Sequence, residues 1–492
     1  RLVMILAPAD LMRLRTPTMR GIPPVSLTTS HVVPAPREFV WDWHTRPGAL
    51  TRLTPPFAPI TPVTQADKLS DGTTILALPA GLKWVARHDL SNYRRGHRFT
   101  DVCTSAPIKL LANWRHVHEF ADHPEGTLVT DSVTTRVPGA ALKSMFAYRQ
   151  QQLINDIAFL DRIAHLQPAK PLTVAVTGSR GLVGRALSAQ LTTAGHEVIQ
   201  LVRKNPKPGQ REWDPFSPDP DLLDGVDVLV HLAGEPIYGR FSGNHKQAIR
   251  DSRVEPTRRL ARLVAETPGV STMISASAVG YYGSDRGEEE LTESSQRGEG
   301  FLADVVADWE SATAPASDAG KRVIQLRIGA VVSGRGGLLP VLKALFSTGL
   351  GGSFGDGNFW FSWISLDDLT DIIVRGALDL DWSGPINAVA PHPVLNRELT
   401  AALSTQLHRP AIIPIPTLGP AILLGKEGAQ ELALADQRVI PRVLIDADHT
   451  FRYPTVAPAL AHELGGEELY DKAPELEAPD SEDGPAPLGL DG

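Results

Sequence analysis

Thr173-Val174-Ala175-Val176-Thr177-Gly178-Ser179-Arg180-Gly181-Leu182-Val183-Gly184 is a β-branched run that ends in a glycine-spaced loop. An apolar pattern at helical spacing follows, with Val183, Leu187, Leu191 and Ala194 on one face and Gly195 closing it. Glu197-Val198-Ile199-Gln200-Leu201-Val202-Arg203 then reads as a second strand. Strand, tight glycine turn, helix and strand in that order form the βαβ unit that seats a dinucleotide. Glycines are needed there because a side chain would hold the backbone away from a pyrophosphate. The amino end of the helix offers free N–H groups and a partial positive charge to the phosphates.

The same alternation continues downstream. Val226–Glu235 is a strand running into a second glycine loop, and Met273–Gly283 and Val323–Gly329 are further strands with helical patterns between them. Near-continuous apolar strands alternating with helices specify an α/β fold, a doubly wound parallel Rossmann sheet covered on both faces. Residues 26–165 have another texture. Short alternating segments such as Gly72–Leu78 and Gly126–Val133 read as strands, and Met145–Leu160 reads as one long helix with Phe146, Leu153, Ile157 and Leu160 near one face. Many strands and one closing helix predict an α+β module whose curved sheet wraps that helix.

At 492 residues the chain is too long for one core. The expected division is a loose extension at 1–24, a ligand-binding module at 25–166, a nucleotide-binding domain with its substrate lobe at 171–408, a small domain at 409–465 and an acidic, disordered tail at 466–492. The tail alone carries nine acids against Lys472, which accounts for the whole formal charge of −8. The remainder is near neutral and has no basic field for nucleic acid. Cys103 is the single cysteine, so an intrachain disulfide is excluded and a reducing, cytoplasmic setting is expected. No apolar run reaches the roughly 18 residues of a membrane helix, and Ala411–Pro416 is broken by prolines. Arg1–Leu6 is too short for a secretory core, and no membrane partner is expected.

Two resemblances add to this. Trp43–Pro56 and Trp114-Arg115-His116-Val117-His118 resemble START-like (polyketide cyclase-like) domains, which implies an apolar cavity between sheet and helix and an apolar ligand within it. His44, His88, His116 and His118 invite a metal reading; scattered, with no carboxylate in helical register, they are expected as surface or core residues, and no metal is assigned. From about 172 to 460 the chain resembles the epimerase-like branch of the extended short-chain dehydrogenase/reductase superfamily, with that branch's own terminal domain. The resemblance rests on Thr177–Gly184, His231–Ile237, Ser252-Arg253, Ser275–Gly283, Trp309-Glu310, Leu326–Gly329, Trp363–Leu369 and Asn387–Pro391, in the family's order, and on Arg438–Pro441 and Phe451–Pro454 at the end.

The cofactor expected is NADP(H). In NAD-preferring folds an acid about 20 residues past the glycines accepts the ribose 2′-OH. Arg203-Lys204 stands in that place, and guanidinium pairs with a 2′-phosphate where carboxylate would repel it. Gly178, Ser179, Arg180, Gly181, Leu182, Val183 and Gly184 are the expected turn contacts, with Leu232, Ala233 and Gly234 along the dinucleotide. The resemblance adds Arg253.

Hydride transfer in that superfamily relies on a Ser, a Tyr and a Lys one helical turn beyond the Tyr, the lysine easing proton exchange with the substrate oxygen. Ser277 matches the serine, but Phe301 and Val305 stand where the Tyr and Lys should be. Three alternatives follow. Tyr281 or Tyr282 takes over as acid, with Arg253 or Glu235 beside it; or the proton comes from substrate or water; or the protein binds NADP(H) without turnover, as a sensor or regulator like relatives labelled cell-division inhibitors. An NADP-dependent oxidoreductase or epimerase acting on a carbonyl, alcohol or sugar-like small molecule is the preferred reading. Glu235, Arg240 and Trp360 are the expected substrate contacts, Trp360 lying in Gly351–Phe361, which reads either as a mobile loop over the substrate side or as a structural turn packed by Trp360 and Trp363.

Overall fold

The computed structural model describes residues 25–411, 414–416 and 418–470. The extension at 1–24, Ile412 and Ile413 of the proline-broken run, and the acidic tail beyond residue 470 lie outside the described residues.

Strict two-residue alternation builds the first sheet. In β7 (Gly126–Thr135), Thr127, Val129, Asp131, Val133 and Thr135 are buried and most of the residues between them are partly open. With β1 (Val25–Val33), β2 (Thr61–Thr64), β3 (Thr73–Ala77), β4 (Lys83–His88), β5 (Arg98–Cys103) and β6 (Arg115–His123) it forms a seven-stranded antiparallel sheet in the order β1-β7-β6-β5-β4-β3-β2. The helix Gly139–Arg162 packs on it and buries Phe146, Leu153, Ile157 and Leu160. It also buries Gln150, Gln152 and Asp156, three polar residues that need partners.

Thr29 and Arg52 of the same module supply some of those partners, and Arg452, His462 and the Tyr470 N–H, from the end of the chain, supply the others. β8 (Thr173–Thr177), β9 (Glu197–Val202), β10 (Gln210–Glu212), β11 (Val228–His231) and β12 (Thr272–Ala278) are followed by β13 (Asp285–Leu291), β14 (Arg322–Ile328), β15 (Ala330–Val332), β16 (Trp360–Phe361), β17 (Trp363–Ser365) and β18 (Gly384–Ala388). Seven of these make an all-parallel sheet, β10-β9-β8-β11-β12-β14-β18. Its central strands are covered on both faces, so Val174, Ala175, Val176, Val228, Leu229 and Val230 are almost wholly enclosed. The chain then adds β19 (Val394–Leu395), pairing with β16, and β20 (Asp436–Val439), pairing with β13, and ends in the helix Val456–Leu464.

A buried ionic network joins all three parts. Arg52 and Asp156 come from the first module, Asp367 and Asp371 from the helix Leu366–Leu378 under the parallel sheet, and Arg452 and His462 from the terminal segment. Arg452 reaches Asp156 Oδ1 and Asp371 Oδ2 at 2.6 Å each, and Arg52 reaches Asp156 at 2.6 Å and Asp367 at 2.7 Å. Every one of these side chains is at least nine-tenths buried. Main-chain contacts reinforce the junction: Arg46 donates to the Thr193 carbonyl at 2.7 Å, and a side chain at Gly48 would strike the Ala189 carbonyl oxygen. Among the described residues, no helix is long and apolar enough to cross a membrane.

Candidate functional site

The first strand of the parallel sheet delivers its turn as the spacing requires. Gly178 takes φ +65°, and a Cβ on it would lie 2.8 Å from the Leu232 carbonyl carbon. A Cβ on Gly184 would lie 2.4 Å from the Gly178 oxygen, so the helix Leu182–Thr193 can start this close to the turn only with glycine there. Gly181 N–H donates to the Gly178 carbonyl at 2.8 Å. Ser179 Oγ is buried beside the turn without a partner among the described residues.

Behind the turn a buried hydrogen-bond chain fixes the second glycine loop. Thr177 Oγ1 accepts from the N–H groups of Leu232 at 3.0 Å and Ala233 at 3.2 Å, which leaves its own proton for His231 Nδ1 at 2.7 Å. His231 is then protonated on Nε2, which faces Thr257 Oγ1 at 3.1 Å, and Trp309 Nε1 donates to the same oxygen. Complete burial keeps this imidazole neutral, with its pKa lowered to about 4. Thr177, His231, Thr257 and Trp309 were missed as a unit from sequence because they lie on four separate elements.

Arg253 is buried beneath that loop. It donates to the Glu235 carbonyl at 2.9 Å and to the Ile249 carbonyl, lies over the Trp309 ring, and keeps Nε without a partner among the described residues. Burial lowers its pKa to about 10. Its guanidinium would sit 3.1 Å from a Cβ at Gly234. Glu235 and Arg240 are exposed on the loop that follows. The Glu235 N–H donates to Ser252 Oγ at 3.0 Å.

At the end of β9, Arg180 donates to the Lys204 carbonyl at 3.4 Å and the Asn205 carbonyl at 3.2 Å. Arg180, Arg203 and Lys204 therefore share one exposed corner beside the turn. The turn, the orphaned Ser179 hydroxyl and this cationic corner fit a phosphorylated dinucleotide.

At the end of β12, Ser277 Oγ donates to Glu310 at 2.6 Å, and Glu310 is clamped by Arg327 Nε and Nη2, each at 2.9 Å. Arg327 also donates to Tyr282 Oη at 3.0 Å, and Tyr282 donates to Asn387 at 2.7 Å. This corrects the place of Tyr282 as a candidate acid. It is enclosed completely, both functions of its hydroxyl are committed, and burial pushes its pKa up to about 12. Tyr281 differs: it is partly open, and the Arg327 guanidinium lies 3.6 Å from its ring centre.

Phe301 opens the helix Phe301–Ser311, whose first N–H groups donate to the Glu431 carboxylate from the terminal segment. Lys246 Nζ lies 4.6 Å over the Phe301 ring and pairs with Glu427. Trp360 lies on a strand that pairs with β19, its N–H donates to Asp436, and the Arg438 guanidinium lies 5.0 Å from its ring centre.

A cavity of about 520 Å³ lies elsewhere, inside the first module between sheet and helix. Its wall is mostly apolar, with Leu53, Phe57, Trp84, Phe99 and Met145 among its residues, and His44, His88, His116, His118 and Asp101 also face it. The expectation that these histidines are scattered is thus corrected. Burial lowers His44 to about 3 and His88 below its ordinary value.

The parallel sheet with its glycine turn and buried second loop defines a nucleotide-binding Rossmann protein of the short-chain dehydrogenase type. Residues 174–383 match the NAD dependent epimerase/dehydratase family, and residues 415–463 match a domain of unknown function, DUF1731. Over 293 residues the chain is 41% identical to epimerase family protein Mb2239 of Mycobacterium bovis, covering 59% of this chain and 96% of that one. The chain belongs to this epimerase family and is related to SDR39U1. Human epimerase family protein SDR39U1 (isoform 2), solved with NADPH, is 30% identical and superposes with a TM-score of 0.55 over 60% of this chain and 99% of its own. A crystal structure described as the nucleoside-diphosphate sugar epimerase from Corynebacterium glutamicum is 62% identical, with a TM-score of 0.82, and covers 90% of this chain and 91% of that one, so the likeness extends into the amino-terminal module.

Proposed function

We propose that the chain binds NADP(H) across the Gly178–Gly184 turn and acts as an epimerase-type oxidoreductase on a carbonyl, alcohol or sugar-like substrate. The observation that carries this reading is the cationic corner of Arg180, Arg203 and Lys204, set where an NAD-preferring fold would keep an acid. NADPH in the human relative and the sugar-nucleotide description of the Corynebacterium relative support it. When bound, the cofactor supplies a hydride. The N–H groups at the start of Leu182–Thr193 and Ser179 Oγ would hold the pyrophosphate, and Arg253 would keep the Leu232–Glu235 loop in place against the dinucleotide. Ser277, oriented by Glu310, would hold the substrate oxygen, and Tyr281 would supply its proton. Glu235 and Arg240 would meet the substrate at the open loop. Residues 25–166 are read as a START-like domain with an apolar ligand in its cavity, supported by the apolar wall and the single covering helix.

The second reading, an NADP(H)-binding regulator without turnover, is favoured by Phe301, Val305 and the committed hydroxyl of Tyr282. Calorimetry with NADPH and NADH, followed by single-turnover assays on ketones, aldehydes and sugar nucleotides, separates the readings. The expected result is NADPH binding at least tenfold tighter than NADH, with NADPH oxidation that Tyr281→Phe slows about a hundredfold or more. Binding without oxidation on every substrate would establish the regulator, and uptake of neither nucleotide would remove both.

A further inference from the structure

Four neighbouring residues of the amino-terminal module, three of them lining its cavity, have no part in the nucleotide reading. Asp101 lies on β5, His116 and His118 on β6, and Asp131 on β7. His116 and His118 are two apart on one strand and so point to the same face. Strand register sets Asp101 opposite His116 and Asp131 opposite His118. All but Asp101 are more than nine-tenths buried.

The hydrogen positions follow from the acceptors. Asp131 Oδ1 accepts from His116 Nε2 at 2.8 Å and lies 3.0 Å from His118 Nδ1. A carboxylate is an acceptor only, so both of those ring nitrogens carry their protons. When both imidazoles are neutral, the opposite nitrogens, His116 Nδ1 and His118 Nε2, are their lone-pair ends. Both lie 3.5 Å from Asp101 Oδ2. In that state three lone pairs face one another within 4.8 Å, at a spacing longer than a usual N–H···O bond. That spacing is close to the edge, about 3.4 Å, of a tetrahedron of N and O ligands around a zinc-like ion. Asp131 has the role of the outer carboxylate that fixes the tautomer of metal-binding histidines.

We propose that Asp101, His116 and His118 form a binding site for a divalent transition metal of the zinc or iron(II) class. Two imidazole nitrogens and one carboxylate oxygen, without thiolate, suit these ions and not copper(I), calcium or magnesium. Three protein ligands leave a coordination position free, and all three residues line the apolar cavity. The free position takes an oxygen donor carried by an otherwise apolar molecule. The site is independent of the nucleotide reading and stands if that reading fails.

Tag-free full-length protein, stripped with a chelator and dialysed, is titrated with cobalt(II) chloride while visible absorption is recorded, and with zinc chloride by calorimetry. One ion per chain at micromolar affinity is expected, with the intense d–d bands of a four- or five-coordinate site. Asp101→Asn and His118→Gln should each weaken binding at least a hundredfold, and Asp131→Asn roughly tenfold to a hundredfold. Circular dichroism checks their folding. If the variants misfold, the wild-type cobalt protein still decides: its proton NMR spectrum should contain two exchangeable, strongly shifted imidazole N–H signals. No uptake at micromolar cobalt, fewer than two such signals, or binding undisturbed in folded variants would overturn the site and leave a proton-bridged cluster.

Discussion

The nucleotide edge and the amino-terminal cavity present opposite surfaces to a ligand. The edge is open, built from main-chain N–H groups and exposed guanidinium, and suits a highly charged, soluble molecule. The cavity lies between sheet and helix, is walled mostly by apolar side chains, and has buried histidines among its polar groups. Charge recognition in the first tolerates water. In the second, exclusion of water keeps His44 neutral and leaves Asp131 to fix the orientation of His116 and His118. One chain thus holds two binding regions that recognise ligands by different physics. They are joined through the buried ion pairs of Arg52, Asp156, Asp367, Asp371 and Arg452.

Removing that coupling should have the largest effect. Arg452→Met leaves Asp156 and Asp371 buried without their shared cation, and such a loss costs about 3–5 kcal/mol. Denaturant unfolding should change from one transition to two, with the first module released at lower urea. A single transition with an unchanged midpoint would mean that the modules stand independently of the network.

How far each region was legible follows from how its residues are distributed. The turn, its helix and the next strand lie in one uninterrupted stretch, so Gly178, Gly181 and Gly184 declare their purpose locally. Arg253 was reached only through resemblance, because its packing under the Leu232–Glu235 loop is a tertiary fact. In the cavity the only local signal was the alternation of His116 and His118, which places both on one face. The carboxylates that complete the cluster come from β5 and β7, and their pairing depends on strand register that no single segment encodes. Tyr282 failed for a related reason: its neighbours Arg327 and Asn387 sit on β14 and β18, far along the chain.

Alkaline pH should loosen the same junction more gently. His462 sits between Asp367 and Glu467, and its pKa is raised to about 10 despite burial. A histidine raised in the folded state contributes stability that is complete below its unfolded value near 6.5 and is lost as pH climbs through 10. Asp368, raised to about 6, and Glu463, raised to about 7, act in the same direction at lower pH, because the folded chain holds their protons longer. On the acid side the buried neutral histidines oppose them: His231 at about 4 and His449 at about 3 favour folding above 6.5 and withdraw that support as pH falls. Stability should therefore peak near pH 6.5 and decline toward pH 10 by up to roughly 1.4 kcal/mol per pH unit. Thermal melts across pH 5–10 read this directly. His462→Gln should flatten the alkaline limb while leaving the acid limb in place, and an unchanged alkaline limb would remove His462 from the account.

The smallest change sharpens the contrast from one side only. Arg203→Glu puts a carboxylate at the end of β9, beside Arg180 and facing the place proposed for the 2′-phosphate. A charged hydrogen bond is worth about 1.5–3 kcal/mol, so the ratio of NADPH to NADH affinity should fall about tenfold to a hundredfold. NADH affinity itself should hold or improve, since the new acid can accept from a free 2′-OH. Arg203 is exposed and lies outside the buried network, so melting temperature and cobalt uptake in the distant cavity should stay as they were. Equal weakening of both nucleotides would assign Arg203 to general phosphate attraction. A simultaneous loss of cobalt binding would show that the two regions communicate through the buried junction between them.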